Sequence, residues 1–115
     1  MDIVVLPRFE GGVIARELRF GEPGGEFRVK ADGTVVYRSA YDSRPCYAAP
    51  SADVFLEAAD CWAWYCERVA QAGSVGARVA AVAELRGGLS RLGLLADPGS
   101  GVWSAYIEQA EHGLL

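Results

Sequence analysis

The sequence predicts an α+β fold in which a small antiparallel sheet of three to four strands, arranged as a meander, is followed by three helices packed on it. Two observations lead to this prediction. Short β-branched runs and turn signals occupy residues 1–50, and helix-period patterns fill residues 51–115. With 115 residues, 51% of them hydrophobic, and no linker or internal repeat, the chain fits one domain spanning residues 1–115.

The predicted strands come first along the chain. Residues 2–6 are a β-branched run that we expect at an edge of the sheet, and residues 13–20 are a looser strand pattern. After a turn signal at residues 21–25 comes the clearest hairpin, in which Asp32-Gly33 supplies the positive-φ pair of a tight turn. Residues 39–50 are rich in Ser, Pro, Asp and Tyr and are expected to be an irregular crossing.

The first predicted helix begins near Ala52, with Ser51 as its N-cap and Asp53 in its first turn. At 100° per residue, one stripe of this helix is apolar and should face the core: Phe55, Ala59, Trp62, Cys66 and Val69. The opposite arc is polar: Asp53, Glu57, Asp60, Glu67, Arg68 and Gln71.

Trp64 projects into the middle of that polar arc, which is unexpected for a two-layer domain. Three interpretations are open. A segment packed on the outer side of the helix, such as residues 40–50, covers the indole; Trp64 is an exposed anchor for a partner; or copies of the chain associate through the same patch. Under the second interpretation, the partner-binding residues are Trp64, Asp60, Glu57 and Glu67.

Two further helices are predicted. The second spans about residues 75–92, with a bend or fray expected at Gly87-Gly88, and one of its sides carries Val75, Val79, Val82, Leu85 and Leu89. The third begins with Asp97 as N-cap and Pro98 at N1, and its inner face carries Trp103, Tyr106, Ile107 and Ala110. Gly113 can take the left-handed conformation after the helix, with Leu114-Leu115 as the accompanying hydrophobic contact.

The distribution of charge bears on the kind of partner. Residues 1–50 carry seven acids and seven bases, whereas residues 51–115 carry eight acids and four bases, so the net charge of −4 lies in the helical half. Because phosphate binding needs a basic surface, we expect no nucleic-acid partner. A basic protein partner fits this charge better.

The residue types that most chemistry needs are sparse in this sequence. The cysteines are odd in number, and Cys61 and Cys66 lie five apart in one predicted helix, so we expect reduced thiols in a cytoplasmic protein. There is no Cys-x-x-Cys pair, and His112 is the single histidine, which argues against a metal site. No nucleophile lies near His112 in the sequence, and no cofactor motif is present, so we expect no enzyme and name no catalytic residue. The short apolar runs predict neither a membrane span nor a signal peptide.

Two parts of the sequence resemble the SUKH superfamily of bacterial immunity proteins. The passage from sheet to helix is similar in the hairpin Asp32-Gly33-Thr34-Val35-Val36 followed by Ser51-Ala52-Asp53-Val54-Phe55-Leu56-Glu57. The closing helices are similar in Ala83-Glu84-Leu85-Arg86, Leu95-Ala96-Asp97-Pro98, Trp103, Ile107-Glu108-Gln109 and Gly113-Leu114-Leu115. The similarity covers about residues 26–115 and rests on the order of these motifs. Family members usually have a helical region and a longer sheet before this point. We therefore expect either a member with a shortened N-terminal part or a core that another copy completes.

The resemblance implies direct binding to a toxin domain, such as a basic nuclease or deaminase, whose active site is then blocked. The family has no catalytic residues to transfer. We also expect a possible homodimer, because an edge strand of β-branched residues is a template for pairing with another copy. The alternative function is a small-molecule-binding or accessory domain of a bacterial biosynthetic pathway, which should show a concave apolar pocket with convergent polar groups.

Overall fold

A computed structural model of the chain describes residues 2–6, 12–19, 22–39, 45–95 and 101–111. These residues form five strands, β1 (Asp2–Val5), β2 (Val13–Arg19), β3 (Glu22–Val29), β4 (Val35–Ser39) and β5 (Cys46–Ala49), and then three helices, α1 (Ala52–Gln71), α2 (Val75–Arg91) and α3 (Val102–Glu111). The α+β class and the meander are therefore confirmed. The strand number is corrected to five.

All neighbouring strands are antiparallel and lie in the order β1-β2-β3-β4-β5, so β1 is at an edge, as predicted. The helices cover one face of the sheet. On that face the side chains are buried: Ala15, Glu17, Phe27, Val35 and Tyr37. On the opposite face Arg16, Arg28 and Arg38 are exposed, and Arg16 and Arg28 pair with Glu26.

The extra strand, β5, lies within the segment predicted to be an irregular crossing. It is only four residues long, and the contacts that stabilise it are distant in sequence. Tyr47 forms a parallel bridge with Gly101, and the Trp103 indole N–H donates to the Ala48 carbonyl oxygen at 2.8 Å. A local pattern could not reveal such a strand.

Strand β3 begins inside the predicted turn, because Glu22 already pairs with Arg19. Gly25 lies within β3, where an added Cβ would be 2.5 Å from the Tyr37 hydroxyl oxygen. A glycine is needed at this position for the tyrosine to cross over it.

The hairpin between β3 and β4 is present, but its turn differs from the predicted pair. The Gly33 N–H donates to the Lys30 carbonyl oxygen at 2.9 Å, and the Lys30 N–H donates to the Thr34 carbonyl oxygen at 2.8 Å, which leaves a three-residue loop. Gly33 has a φ of 91°, as in a type I turn closed by a left-handed residue. The Thr34 N–H also donates to the Asp32 carboxylate at 2.9 Å, and this bond lowers the pKa of Asp32.

Helices α1 and α2 start at serine N-caps. The Ser51 hydroxyl accepts from the Val54 N–H, as predicted, and Ser74 accepts from the Ala77 N–H. Helix α3 begins at Val102, later than the predicted start at Pro98. Asp97 and Pro98 lie outside the described residues, as do His112, Gly113 and Leu114-Leu115. None of the helices in the described ranges is long and apolar enough to cross a membrane.

The core is built from aromatic rings of the sheet, α1 and α3. Phe27 packs on Phe55 with ring centroids 4.8 Å apart, and Trp62 stacks on Tyr106 at 4.9 Å. The predicted inner face of α3 is confirmed, since Trp103, Tyr106, Ile107 and Ala110 are all buried. In α1, Ala58 and Tyr65 are buried, while Cys66 and Val69 of the predicted stripe are only partly covered. The buried stripe of α1 is therefore rotated toward α2, relative to the stripe that the sequence predicted.

Helix α2 packs chiefly on α1 and α3, and its buried face differs from the predicted one. Ala81, Leu85, Gly88 and Leu89 are buried, whereas Val75 and Val79 are 78% and 62% exposed. The helix continues through the two glycines to Arg91, so it does not fray at Gly87-Gly88, and the bend expected there as the alternative stays a prediction.

One buried acid ties the sheet to α3. Glu17 is 1% exposed, and in the described residues it is the one charged side chain that is fully buried. It accepts hydrogen bonds from the Tyr37 hydroxyl at 3.0 Å and from the Tyr106 hydroxyl. A buried carboxyl group needs such donors, because burial without hydrogen bonds carries a large desolvation penalty.

Candidate functional site

Trp64 lines a groove of about 770 Å³ between α1 and α2, which we call the indole groove. Its lining is Asp60, Cys61 and Trp64 from α1 and Glu84, Leu85, Gly87, Gly88 and Arg91 from α2. Trp64 and Glu84 also line an adjoining depression of about 350 Å³ toward the α1–α2 turn. The indole therefore stands beside two concave surfaces on the same side of the molecule.

The two glycines of α2 shape the groove. A Cβ at Gly88 would lie 3.2 Å from the Cys61 sulfur, so the missing side chain lets α1 and α2 approach closely there. Gly87 has no atom within 4 Å of where its Cβ would be. One glycine therefore serves helix packing, and the other leaves the groove open.

Trp64 is half-buried and packs against the edge of the hydrophobic core. The Arg68 guanidinium lies 5.2 Å from the centroid of its ring, one helical turn further along. The indole is thus neither fully covered nor fully exposed, and the segment that lines the groove beside it is α2. A half-buried indole is still available to a partner on its remaining surface.

The three predicted acidic residues remain on the exposed side of α1. Asp60, Glu57 and Glu67 are all exposed. Asp60 is the one of these three that lines the indole groove, whereas Glu57 and Glu67 flank it along the helix. The structure thus brings Trp64 and Asp60 together in one concavity and places the other two acids around it.

Sequence reasoning missed the α2 side of the groove, which supplies Glu84 and Arg91. The sequence did distinguish Glu84 from its neighbours, because it is the single acid in a helix that has three arginines. That Glu84 and Arg91 line the same groove as Asp60 depends on how the helices pack and could not be derived from periodicity. The groove therefore presents two carboxylates, from Asp60 and Glu84, and the Arg91 guanidinium beside an indole.

The charges of the acidic half of the chain are divided unevenly among the three helices. Helix α1 contains four acids and one arginine, α3 contains two acids and no base, and α2 has one acid and three arginines. The negative charge is therefore concentrated along the outer face of α1.

Two groups of α1 have a raised pKa, the partly buried thiol of Cys61, which lines the groove, and the buried hydroxyl of Tyr65. Burial, and secondarily the charge of Asp60, raises the pKa of the Cys61 thiol. Burial also raises the pKa of Tyr65, whose hydroxyl has no hydrogen-bond partner in the part of the chain that the structure describes. A thiol with a raised pKa is a poor nucleophile at neutral pH.

Metal ligation has no group of residues to support it in the described ranges, where no three His, Cys, Asp or Glu side chains come together. The three cysteines are free thiols, as the sequence predicted. What the groove offers is an aromatic surface with flanking charges.

Comparison of the chain with models of known families, with curated proteins and with solved structures gives no significant match. The resemblance to the SUKH superfamily therefore stays a prediction.

Proposed function

We propose that this protein is a cytoplasmic immunity-type antitoxin that acts by stoichiometric binding to a basic toxin domain, such as a nuclease or deaminase. The observation that carries the proposal is the indole groove, in which a half-buried tryptophan lies among the exposed carboxylates of Asp60 and Glu84. Blocking an active site requires a rigid surface of this kind and no turnover. The family resemblance of the sequence supports the same assignment.

The chemistry of the groove suits a lysine or arginine side chain of the partner. Its aliphatic part would lie along the exposed part of Trp64, and its charged head would lie near the carboxylates of Asp60 and Glu84, away from the Arg91 guanidinium. The indole supplies contact area at small entropic cost, because the side chain is already held by its neighbours. The acids along α1 would steer the basic partner toward the groove.

Co-expression tests the proposal in the cell. The gene beside this one should encode a protein with a toxin domain, and co-expression with that toxin should restore growth and give a stable complex on size exclusion. Rescue by a variant that no longer binds the toxin would refute stoichiometric binding as the mechanism.

Substitution at Trp64 tests the surface. Trp64→Ala should weaken toxin binding by roughly thirtyfold, which corresponds to about 2 kcal/mol for an interface anchor. The matched control is Tyr47→Ala, because Tyr47 is an aromatic residue that is 44% exposed on strand β5. The control should bind like the parent chain. A larger loss for Tyr47→Ala than for Trp64→Ala would place the interface elsewhere.

Removing charge separates recognition from stability, since Trp64 is half-buried and Trp64→Ala will also lower stability. Asp60→Asn with Glu84→Gln alters two exposed side chains and should leave the melting temperature nearly unchanged. Association with the toxin should slow roughly tenfold at low salt and become less dependent on salt, while Glu57 and Glu67 of α1 keep part of the steering. An unchanged association rate would contradict the role assigned to these acids.

A further inference from the structure

A second surface lies on the other side of α2. It is a groove of about 630 Å³ between α2 and α3, which we call the valine groove. Its apolar lining is Val75, Val79, Val82, Ala83 and Ala110, and its charged margin is Arg78, Arg86 and Glu111. Val75 is 78% exposed and Val79 is 62% exposed, the highest values among the large hydrophobic residues of the described ranges. Contiguous apolar exposure of this kind marks interaction sites on soluble domains.

The spacing of these valines follows one face of the helix. Val75, Val79 and Val82 occur at i, i+4 and i+7, roughly 90° around α2 from the buried stripe that contains Leu85. Helix α2 therefore has two apolar stripes, of which the fold buries one. A stripe with this spacing, beside a neighbouring helix, is the groove that amphipathic helices of partner proteins recognise.

The charges at the margin indicate the sign of the partner. Arg78 and Arg86 line the valine groove together with one acid, Glu111, which pairs with Arg86. This margin is net positive in a chain whose overall charge is −4. It differs from the indole groove, where α1 contributes an excess of acids.

We propose that the valine groove docks an amphipathic helix from a second partner protein, with apolar residues at i, i+4 and i+7 and acidic residues beside them. The apolar residues would cover Val75, Val79 and Val82, and the acids would meet Arg78 and Arg86. This partner is chemically distinct from the basic toxin proposed for the indole groove. The chain would then connect two proteins through opposite sides of α2.

The probe for the test is a synthetic amphipathic peptide of about 16 residues, roughly four helical turns. It has leucines at i, i+4 and i+7 flanked by glutamates. A second peptide has lysine in place of every glutamate, and a third has the residues of the first in scrambled order. Binding is followed by methyl NMR of the full chain, reading Val79, Val82, Ala83 and Ala110.

The acidic peptide should shift these methyl signals and bind at least about tenfold more tightly than the lysine peptide at low salt, with a smaller difference at high salt. The scrambled peptide should not bind. Val79→Glu should weaken binding of the acidic peptide at least about tenfold. The matched control is Val4→Glu, which changes an exposed valine of strand β1 and should have no effect.

Several results would overturn the proposal. One is failure of the acidic peptide to shift the signals of the valine groove, and another is binding of the lysine peptide at equal or higher affinity. Shifts that depend on protein concentration without peptide would make a second copy the occupant. Shifts with sodium dodecanoate but not with the acidic peptide would make the groove a site for a small amphiphilic anion.

Discussion

Removal of one hydroxyl group from the core should reveal how strongly the buried acid holds the sheet to the last helix. The Tyr106 hydroxyl donates to Glu17, whose side chain is 1% exposed. Tyr106→Phe deletes that donor and keeps the ring that stacks on Trp62 with centroids 4.9 Å apart. The substitution therefore isolates the hydrogen bond from the packing.

The expected loss follows from leaving a buried acceptor with one donor fewer. Such a deletion costs about 2 kcal/mol of unfolding free energy, which lowers the melting temperature of a domain of this size by about 8 °C. Chemical denaturation followed by circular dichroism measures the first quantity, and calorimetry measures the second. Tyr37→Phe removes a second donor, at 3.0 Å, and should give a loss of similar size.

Tyr47→Phe is the matched control, because this tyrosine is 44% exposed and its hydroxyl can bond to water. Its effect should stay within about 0.5 kcal/mol. In the double variant of Tyr37 and Tyr106, the losses should fail to add by about 0.5 kcal/mol or more, because both hydroxyls bond to one carboxyl group. If Tyr106→Phe is as stable as the parent chain, Glu17 does not depend on this donor.

Three more predictions follow from the structure. Gly87→Ala should raise the unfolding free energy by about 0.5–1 kcal/mol. Gly88→Ala should raise it less, or lower it, because the added Cβ would lie 3.2 Å from the Cys61 sulfur. A larger gain for Gly88→Ala than for Gly87→Ala in denaturant titrations would contradict this. At pH 8, iodoacetamide should modify the exposed Cys46 well before Cys61, because partial burial raises the pKa of the Cys61 thiol. Equal modification rates in peptide mass spectrometry would show that Cys61 is not protected. Pairing through the β1 edge should give a homodimer that Val4→Lys dissociates, and a monomer mass for the parent chain throughout the micromolar range in analytical ultracentrifugation would exclude it.

Local signals were sufficient for the starts of α1 and α2 and for the hairpin between β3 and β4. Ser51 was identifiable as an N-cap because a hydroxyl side chain there satisfies a backbone N–H three residues on, and this is what the structure has. Gly33 was identifiable because a left-handed residue must close the hairpin. In both cases the determinant and its partner are a few residues apart.

Features that depend on contacts between residues distant in sequence could not be predicted from local signals. Strand β5 depends on Gly101 and on the Trp103 indole, both more than 50 residues further along the chain. The burial of Glu17 depends on two tyrosines, one in β4 and one in α3. A sign of Glu17 was present, because it shares the strand phase of Ala15, which faces the core.

About half of the candidate site could be predicted from the sequence. The helical period placed Trp64 away from the main core stripe, next to Asp60, and both residues line the indole groove. The period could not show that α2 contributes Glu84 and Arg91 on the facing side, because helix packing determines which residues meet across a groove.

Helix α2 shows why hydrophobicity alone misled the prediction of its buried face. Close approach of two helices favours small residues, so Ala81 and Gly88 occupy the contact while Val75 and Val79 remain outside. Full burial of two valines would contribute on the order of 3 kcal/mol to folding, and the chain forgoes most of it. A partner that covers both valines would recover part of that free energy in binding, which is why Val79→Glu should lower affinity in the valine groove without unfolding the chain.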